Sequence, residues 1–490
     1  MLQFPKIIQG GMGVGVSNWR LAQAVSKLGQ LGVVSGTALD SVFVRRLADG
    51  DQGGYMRRGL DAFPFQETAK RIWQEYFVPG GMAACAPYKA LPMHQKHDSR
   101  KLIELCIVSN FVEVFLAKEG HNNPVGINYL EKVQIPHLPS IYGAMLAGVG
   151  YVLMGAGIPL HIPGVLDAFA AGHAAEYRLA IAGAAHGQSA SFDAPMRLDP
   201  ADYAEGPLPA LDRPRFLAIV SSNTLAATML RRASGRVDGL VIESPTAGGH
   251  NAPPRGKLQL NAAGEPLYGE RDRVNIEELR SLGVPFWLAG GYGSPAKLRE
   301  ALDQGAAGVQ VGTAFAFSRE SGMRADLKAR LIKRAMAGAG EVFTDPLASP
   351  TGFPFKVARL EGTSSEPNVY DGRNRVCDLG YLREPYAIGD DQIGYRCSAE
   401  PVENYLAKGG KIEDTVGRKC LCNTLLANIG HVQTRKDGSV EPALVTVGDD
   451  LNTIAQFIAP GRSSYSAADV VENLLNLSAN ESETVLAASA

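Results

Sequence analysis

Three glycine-rich stretches hold most of the residues in this chain that could do chemistry. The first, Gln9-Gly10-Gly11-Met12-Gly13-Val14-Gly15, directly follows an apolar run. Glycines there let backbone amides approach a flat or anionic ligand that a Cβ would hold away. The GxGxxG spacing of a dinucleotide fingerprint is absent, and no strand with a terminal acid follows at the usual distance. A tight strand-to-helix turn would explain this stretch equally well. The second stretch, Ala289-Gly290-Gly291-Tyr292-Gly293-Ser294, is followed by Gln310-Val311-Gly312-Thr313. Loops of this kind after the last two strands of a barrel aim helix N-termini at a phosphate, so phosphate binding is expected here. The third is Glu243-Ser244-Pro245-Thr246-Ala247-Gly248-Gly249-His250. A lone histidine is usually structural, but His250 follows two glycines at the C-terminal end of an apolar run, where barrel active sites lie. An imidazole titrating near neutrality could move a proton or stabilise an anion, which makes His250 the candidate catalytic residue.

Other ligand-type residues are less well placed. His94 and His97 could form a metal pair on a helix, but no third ligand is evident. Cys377, Cys397, Cys420 and Cys422 could ligate zinc or an iron–sulfur cluster. Only Cys420-Leu421-Cys422 is closely spaced, so independent thiols are the competing reading and no metal ligand is assigned. The six cysteines of this 490-residue chain do not suggest a disulfide framework.

These loops must be positioned by the apolar runs that precede them. Such runs occupy 6–10, 31–35, 125–129, 150–154, 216–220, 239–243, 285–289 and 308–312, and helical patterns alternate with them. Nearly continuous apolar sequence marks strands buried on both faces, as in a parallel sheet. Eight such strands favour closure into a (β/α)8 TIM barrel. Ser17 is expected to cap a helix over 18–28, and Ser294-Pro295 to open one over 295–304. The barrel is expected to span 1–345 with insertions at 40–120 and 171–214, the latter with an extra strand at 177–182. Insertions of this length often serve as lids or substrate-binding elements. Residues 346–490 read as a C-terminal accessory or cap region, with an amphipathic helix at 466–477 and a tail expected to fray.

Composition narrows the partners. The net charge is −2, so nothing draws the chain to nucleic acid or to an anionic membrane. The apolar stretch 139–166 is broken by Gly148, Gly150, Gly155, Gly157, Pro159 and Pro163, which argues for a helix, a strand and a turn rather than a membrane span. MLQFPKIIQGG has neither the basic nor the apolar region of a secretory signal, and a cytoplasmic location with a small-molecule substrate is expected.

The ordered set IIQGGMG, PVGINY, AGVGYVLMGAGIP, ESPTAGGH, PFWLAGGYG and AAGVQVGTAF resembles the nitronate monooxygenase (2-nitropropane dioxygenase) family, which is related to FMN-dependent enoyl-acyl-carrier-protein reductases. The resemblance covers roughly 1–345 and implies an FMN-binding TIM barrel. It implies that Gly10, Gly11 and Met12 border the isoalloxazine ring and that Asn128 hydrogen-bonds near it. By the same likeness Gly290, Gly291, Gly312 and Thr313 hold the phosphate, Gln310, Gly248 and Gly249 line the cofactor, and His250 faces the substrate. Pro245-Thr246 before the GGH, and Ser221-Ser222 after the fifth strand, depart from compact members. The expected activity is flavin-dependent oxidation of alkyl nitronates with O2. The alternatives are an NAD(P)H-dependent enoyl-thioester reductase and a non-catalytic flavin-binding assembly module.

Overall fold

All eight apolar runs are strands. The computed structural model describes residues 4–184 and 190–476. Strands β1 (Ile7–Gln9), β2 (Gly32–Ser35), β3 (Val125–Leu130), β4 (Tyr151–Gly155), β5 (Arg215–Val220), β6 (Gly239–Glu243), β7 (Phe286–Ala289) and β8 (Gly308–Val311) form one parallel sheet. Neighbours pair in sequence from β2 to β8, and β8 pairs with β1. The ring closes between β1 and the start of β2, where Gln9 N donates to Leu31 O at 2.9 Å and Leu31 N donates to Ile7 O at 3.0 Å. The fold is a (β/α)8 TIM barrel.

The period of two along each strand divides the core into two layers. Ile8, Val33, Leu153, Leu217, Val241 and Trp287 fill the barrel interior. Their neighbours Ile7, Val34, Val152, Phe216, Leu240 and Phe286 face the surrounding helices in the larger core. Trp287 donates its indole N–H to Pro5 O at 2.8 Å, tying the segment before β1 to β7.

Asn18, rather than Ser17, caps the first helix (Trp19–Lys27), accepting from Leu21 N at 3.0 Å. The Ser17 hydroxyl is engaged elsewhere: it donates to Gly10 O at 2.8 Å and accepts from Met12 N at 2.9 Å. It therefore braces the first glycine loop. Ser294 caps Pro295–Asp303 as expected.

The first insertion is helical, with Leu39–Ala48, Tyr55–Ala62 and Gln66–Tyr76 leading to the long helix Arg100–Lys118. His94 is buried there between Asp40 (Nε2 to Oδ2, 3.0 Å) and Asp98 (Nδ1 to Oδ2, 2.5 Å). Burial disfavours its charge, but the hydrogen bonds to the two carboxylates outweigh that and carry it up to about 9. His94 is thus an ion-paired core histidine, while His97 is exposed. Among the described residues no three His, Cys, Asp or Glu side chains are arranged to hold a metal ion. In the second insertion the expected strand at 177–182 is instead Ala175–Tyr177, paired antiparallel with Met196–Leu198.

Beyond the barrel, β9 (Val342–Asp345) and β10 (Phe355–Ala358) form one antiparallel pair, and β11 (Glu384–Ile388) and β12 (Gln392–Arg396) another. The chain then returns to the barrel. Val445, Val447, Leu451 and Ile454, with Val470 and Leu474 of the helix Ala467–Leu475, join the main core. The expected tail lies outside the described residues. No described helix is long and apolar enough to cross a membrane.

Candidate active site

A cavity of about 230 Å³ opens at the C-terminal mouth of the barrel. Every strand reaches it directly or through the loop that follows: Gly10, Thr37, Asn128, Gly155, Ile219, Glu243, Ala289 and Gln310 all line its wall. All the residues expected at the flavin site from the sequence meet there. Gly10, Gly11, Met12, Asn128, Gly248, Gly249, His250, Gly290, Gly291, Gln310, Gly312 and Thr313 share this one surface.

The first loop is held tightly from behind. Gly10 N donates to Val311 O at 2.9 Å, and Asn128 Nδ2 donates to Gly11 O at 3.3 Å. A Cβ on Gly11 would lie 2.3 Å from Asn128 Cβ, closer than any real contact. Glycine is required there because loop and strand β3 touch.

The β6 loop is shaped by contacts that no local pattern reveals. Gly249 N donates to Thr446 Oγ1 at 2.8 Å, and Lys356 N donates to Gly249 O at 2.9 Å. A Cβ on Gly248 would come within 2.7 Å of the Val447 backbone. The segment 446–450 therefore crosses the mouth directly against this loop. His250 stands between that segment and the pair β9–β10: its Nε2 lies 2.7 Å from Ser349 Oγ, and its ring packs edge-on to Phe355 at 4.9 Å. Desolvation pushes the imidazole down to about 4. His250 is consequently neutral at pH 7, not titrating near neutrality as its sequence context suggests.

Glu243, at the end of β6, moves the other way. Desolvation takes its carboxyl up to about 8, so it holds a proton at neutral pH. It appears in the sequence motif, but nothing local signals its role. Only its placement in the cavity wall does.

The two glycine loops at β7 and β8 lie side by side. Gly290 and Gly291 have φ values of 89° and 73°, in the left-handed region that favours glycine. A Cβ on Gly290 would meet Ser244 Oγ at 2.3 Å. Thr313 opens the short helix Thr313–Ala316, and its Oγ1 accepts from Gly448 N at 3.0 Å. Asp450 also lines the cavity at these loops; burial raises its carboxyl, against an opposing hydrogen bond from Thr313. Gln310 Oε1 is buried in the same wall without a hydrogen-bond partner. An orphaned acceptor of this kind is costly unless a ligand meets it.

Away from the barrel mouth, the four C-terminal thiols come together. Cys377, Cys397, Cys420 and Cys422 line one small cavity with Leu379, Leu382 and Arg383. Cys85 is exposed and Cys106 is buried elsewhere.

The site is a glycine-lined cavity at the strand ends of an eight-stranded α/β barrel, the place where barrel folds carry their active sites. Residues 201–345 match the family described as nitronate monooxygenase. That match covers the second half of the barrel. No curated protein sequence matches the chain. Among solved structures the chain is similar to FabK from Thermotoga maritima, at 16% identity and a TM-score of 0.47 over 99% of this chain and 96% of that one. It is similar to a nitroalkane oxidase from Streptomyces ansochromogenes, at 14% and 0.45 over 99% and 98%. A third is the enoyl reductase domain of MlnA from the macrolactin biosynthesis cluster of Bacillus amyloliquefaciens, at 12% and 0.45 over 99% and 95%.

Proposed function

We propose that the chain binds FMN in the barrel mouth and oxidises alkyl nitronates with O2. The observation that carries the cofactor is Gln310 Oε1, an unmet acceptor in the wall of a cavity where a Cβ at Gly11 or Gly290 would collide with neighbouring atoms. The family match over 201–345 supports the substrate class. The residues present suit the group. Gly290, Gly291, Gly312 and Thr313 would hold the phosphate with amides and a hydroxyl. Gly10, Gly11 and Met12 would border the ring, with Asn128, Gly248, Gly249 and Gln310 along its edges. When bound, FMN supplies the redox chemistry: acceptance of electrons from the nitronate and their delivery to O2.

The chain's own residues bind and orient the substrate. His250 is neutral, so it can donate an N–H to a nitronate oxygen but is a weak base. A nitronate has already lost its carbon-bound proton and needs no base; a neutral nitroalkane does. The state of His250 therefore favours the anion as substrate. Glu243, protonated at neutral pH, keeps a second negative charge out of the cavity that must accept that anion.

One observation favours a second reading. A protonated Glu243 and a neutral His250 could also serve an enoyl thioester, as proton source and as carbonyl hydrogen-bond donor, with NAD(P)H as reductant. Oxygen uptake with a series of alkyl nitronates tests the first reading. Turnover well above that of free FMN is expected, with neutral nitroalkanes far slower. No uptake above free FMN overturns it.

A further inference from the structure

The C-terminal helix Leu421–Asn428 reaches the barrel mouth at its last turn, where Leu425 and Asn428 line the cavity. The two positions are three apart and share one face of the helix. Leu421, Leu426 and Ala427 bury the rest of it. Leu425 is an ordinary apolar wall. Asn428 is not: it is 1% exposed, and an amide buried that deeply needs partners at both its ends.

One end has its partner. Asn428 Nδ2 donates to Leu444 O at 2.6 Å, and the backbone carbonyl of Asn428 accepts from Arg324 N at 2.8 Å. The first of these bonds fixes the sense of the amide, because the reversed group would set its oxygen against the Leu444 carbonyl. The other end, Oδ1, is buried without a hydrogen-bond partner. Tying the helix to Leu444 accounts for Nδ2 and leaves Oδ1 unexplained. A leucine here would fill similar space without burying an unmet acceptor.

The neighbourhood is the one proposed to hold FMN. From Leu444 the chain runs on through Thr446, which accepts from Gly249 N, to Gly448, which donates to Thr313 Oγ1. On the other side Gly322 N donates to Val16 O at 2.8 Å, so residues 322–324 tie Asn428 to the first glycine loop. The partner that Oδ1 lacks must be a donor. An alkyl nitronate offers only acceptor oxygens, and so does the reacting carbonyl of an enoyl thioester. FMN offers donors, in its ring N3–H and its ribityl hydroxyls. Gln310 Oε1 is unmet in the same wall, and one flavin carries donors enough for both.

We propose that Asn428 holds the bound flavin, with Oδ1 accepting a hydrogen bond from the ring N3–H or from a ribityl hydroxyl. This rests on the reading of the cavity as an FMN site and extends that site beyond the barrel. Asn428 lies outside the matched residues 201–345, so the C-terminal region supplies part of the cofactor site as well as a cover over it.

The test is equilibrium fluorescence titration of the cofactor-free full chain with FMN, riboflavin, lumiflavin and N3-methyl-FMN. Asn428→Leu removes the acceptor and should weaken FMN binding about tenfold. With N3–H as donor, the wild type loses a similar factor on N3-methyl-FMN and the variant loses nothing further. With a ribityl hydroxyl as donor, the variant weakens FMN and riboflavin but not lumiflavin, which lacks the ribityl chain. Asn428→Asp guards against a merely misfolded variant. At about pH 5 its buried carboxyl stays protonated and keeps an acceptor and a donor where the amide had them, so FMN affinity should stay within about twofold of wild type. The assignment is overturned by FMN affinity in Asn428→Leu within about twofold of wild type, by equal losses in the Leu and Asp variants, or by the same loss for all four flavins. A wild type that binds none of the flavins overturns instead the FMN reading on which the assignment rests.

Discussion

Replacing Glu243 with Gln separates the electrostatics of the cavity from its shape. Glutamine fills nearly the same volume but cannot ionise. The Glu243 carboxyl sits at the end of β6, and desolvation moves it from 4.5 to about 8. Between those values the unfolded chain gives up the proton while the folded chain keeps it. Stability therefore falls as pH rises from about 4.5, by about 1.4 kcal/mol per pH unit, and levels off above about 8. At pH 7 the ceiling is about 3 kcal/mol, and water entering the open cavity reduces it to about 1–3 kcal/mol. Glu243→Gln relieves this cost. Urea unfolding of ligand-free wild type and variant at pH 5, 7 and 8.5 measures it. The two should nearly coincide at pH 5, the variant should be more stable by about 1–3 kcal/mol at pH 7, and the gap should stop widening above pH 8. A gap independent of pH, or a wild type more stable than the variant at pH 8.5, refutes the burial argument for this carboxyl.

His94 behaves in the opposite sense. Held protonated by Asp40 and Asp98 up to about 9, it contributes stability that is complete below pH 6.5 and lost as pH rises through about 9. His94→Gln should cost about 3 kcal/mol at pH 7 and abolish the alkaline fall in unfolding midpoint; a variant that keeps that fall assigns it elsewhere. Asp450 places a carboxyl at the loops proposed to hold phosphate. Asp450→Asn should tighten FMN binding about fivefold, on the order of 1 kcal/mol of repulsion removed, and leave riboflavin affinity unchanged. Equal effects on both ligands in equilibrium titrations would place the phosphate elsewhere. Gly11→Ala forces a Cβ onto Asn128 and should lower stability by about 1–3 kcal/mol and weaken flavin binding, read by thermal unfolding and fluorescence titration. Unchanged values on both would show the first loop to be free of strand β3.

The barrel was legible because its strands are buried on both faces. GLVIE and FWLA admit no solvent-facing alternation, and β6 and β7 fall where those runs stand. The glycine loops were legible because each ends a strand, so position and chemistry coincide. Helix caps were less so: Ser17 and Asn18 are both good caps, and only the packing of the first loop decides that Ser17 braces Gly10 while Asn18 caps. Long-range partners left no local trace. Thr446 meets Gly249 across nearly two hundred residues, and Ser349 reaches His250 across about a hundred, so neither could be paired with its loop in advance. The protonation of His250 and Glu243 was hidden for the same reason. Both titrations depend on desolvation, and burial depends on which distant segments cover the mouth.

The most direct test of flavin-dependent nitronate oxidation is anaerobic reduction of the bound cofactor, followed by its absorbance in a stopped-flow instrument. The expected result is rapid bleaching of the flavin bands by an alkyl nitronate, little bleaching by NADH or NADPH, and slower bleaching by the nitronate in His250→Ala. Bleaching by NADH or NADPH but not by any nitronate, with reoxidation by an enoyl thioester, would contradict that assignment and establish the reductase. A purified protein with no flavin bands, and none after incubation with FMN, would contradict the cofactor itself.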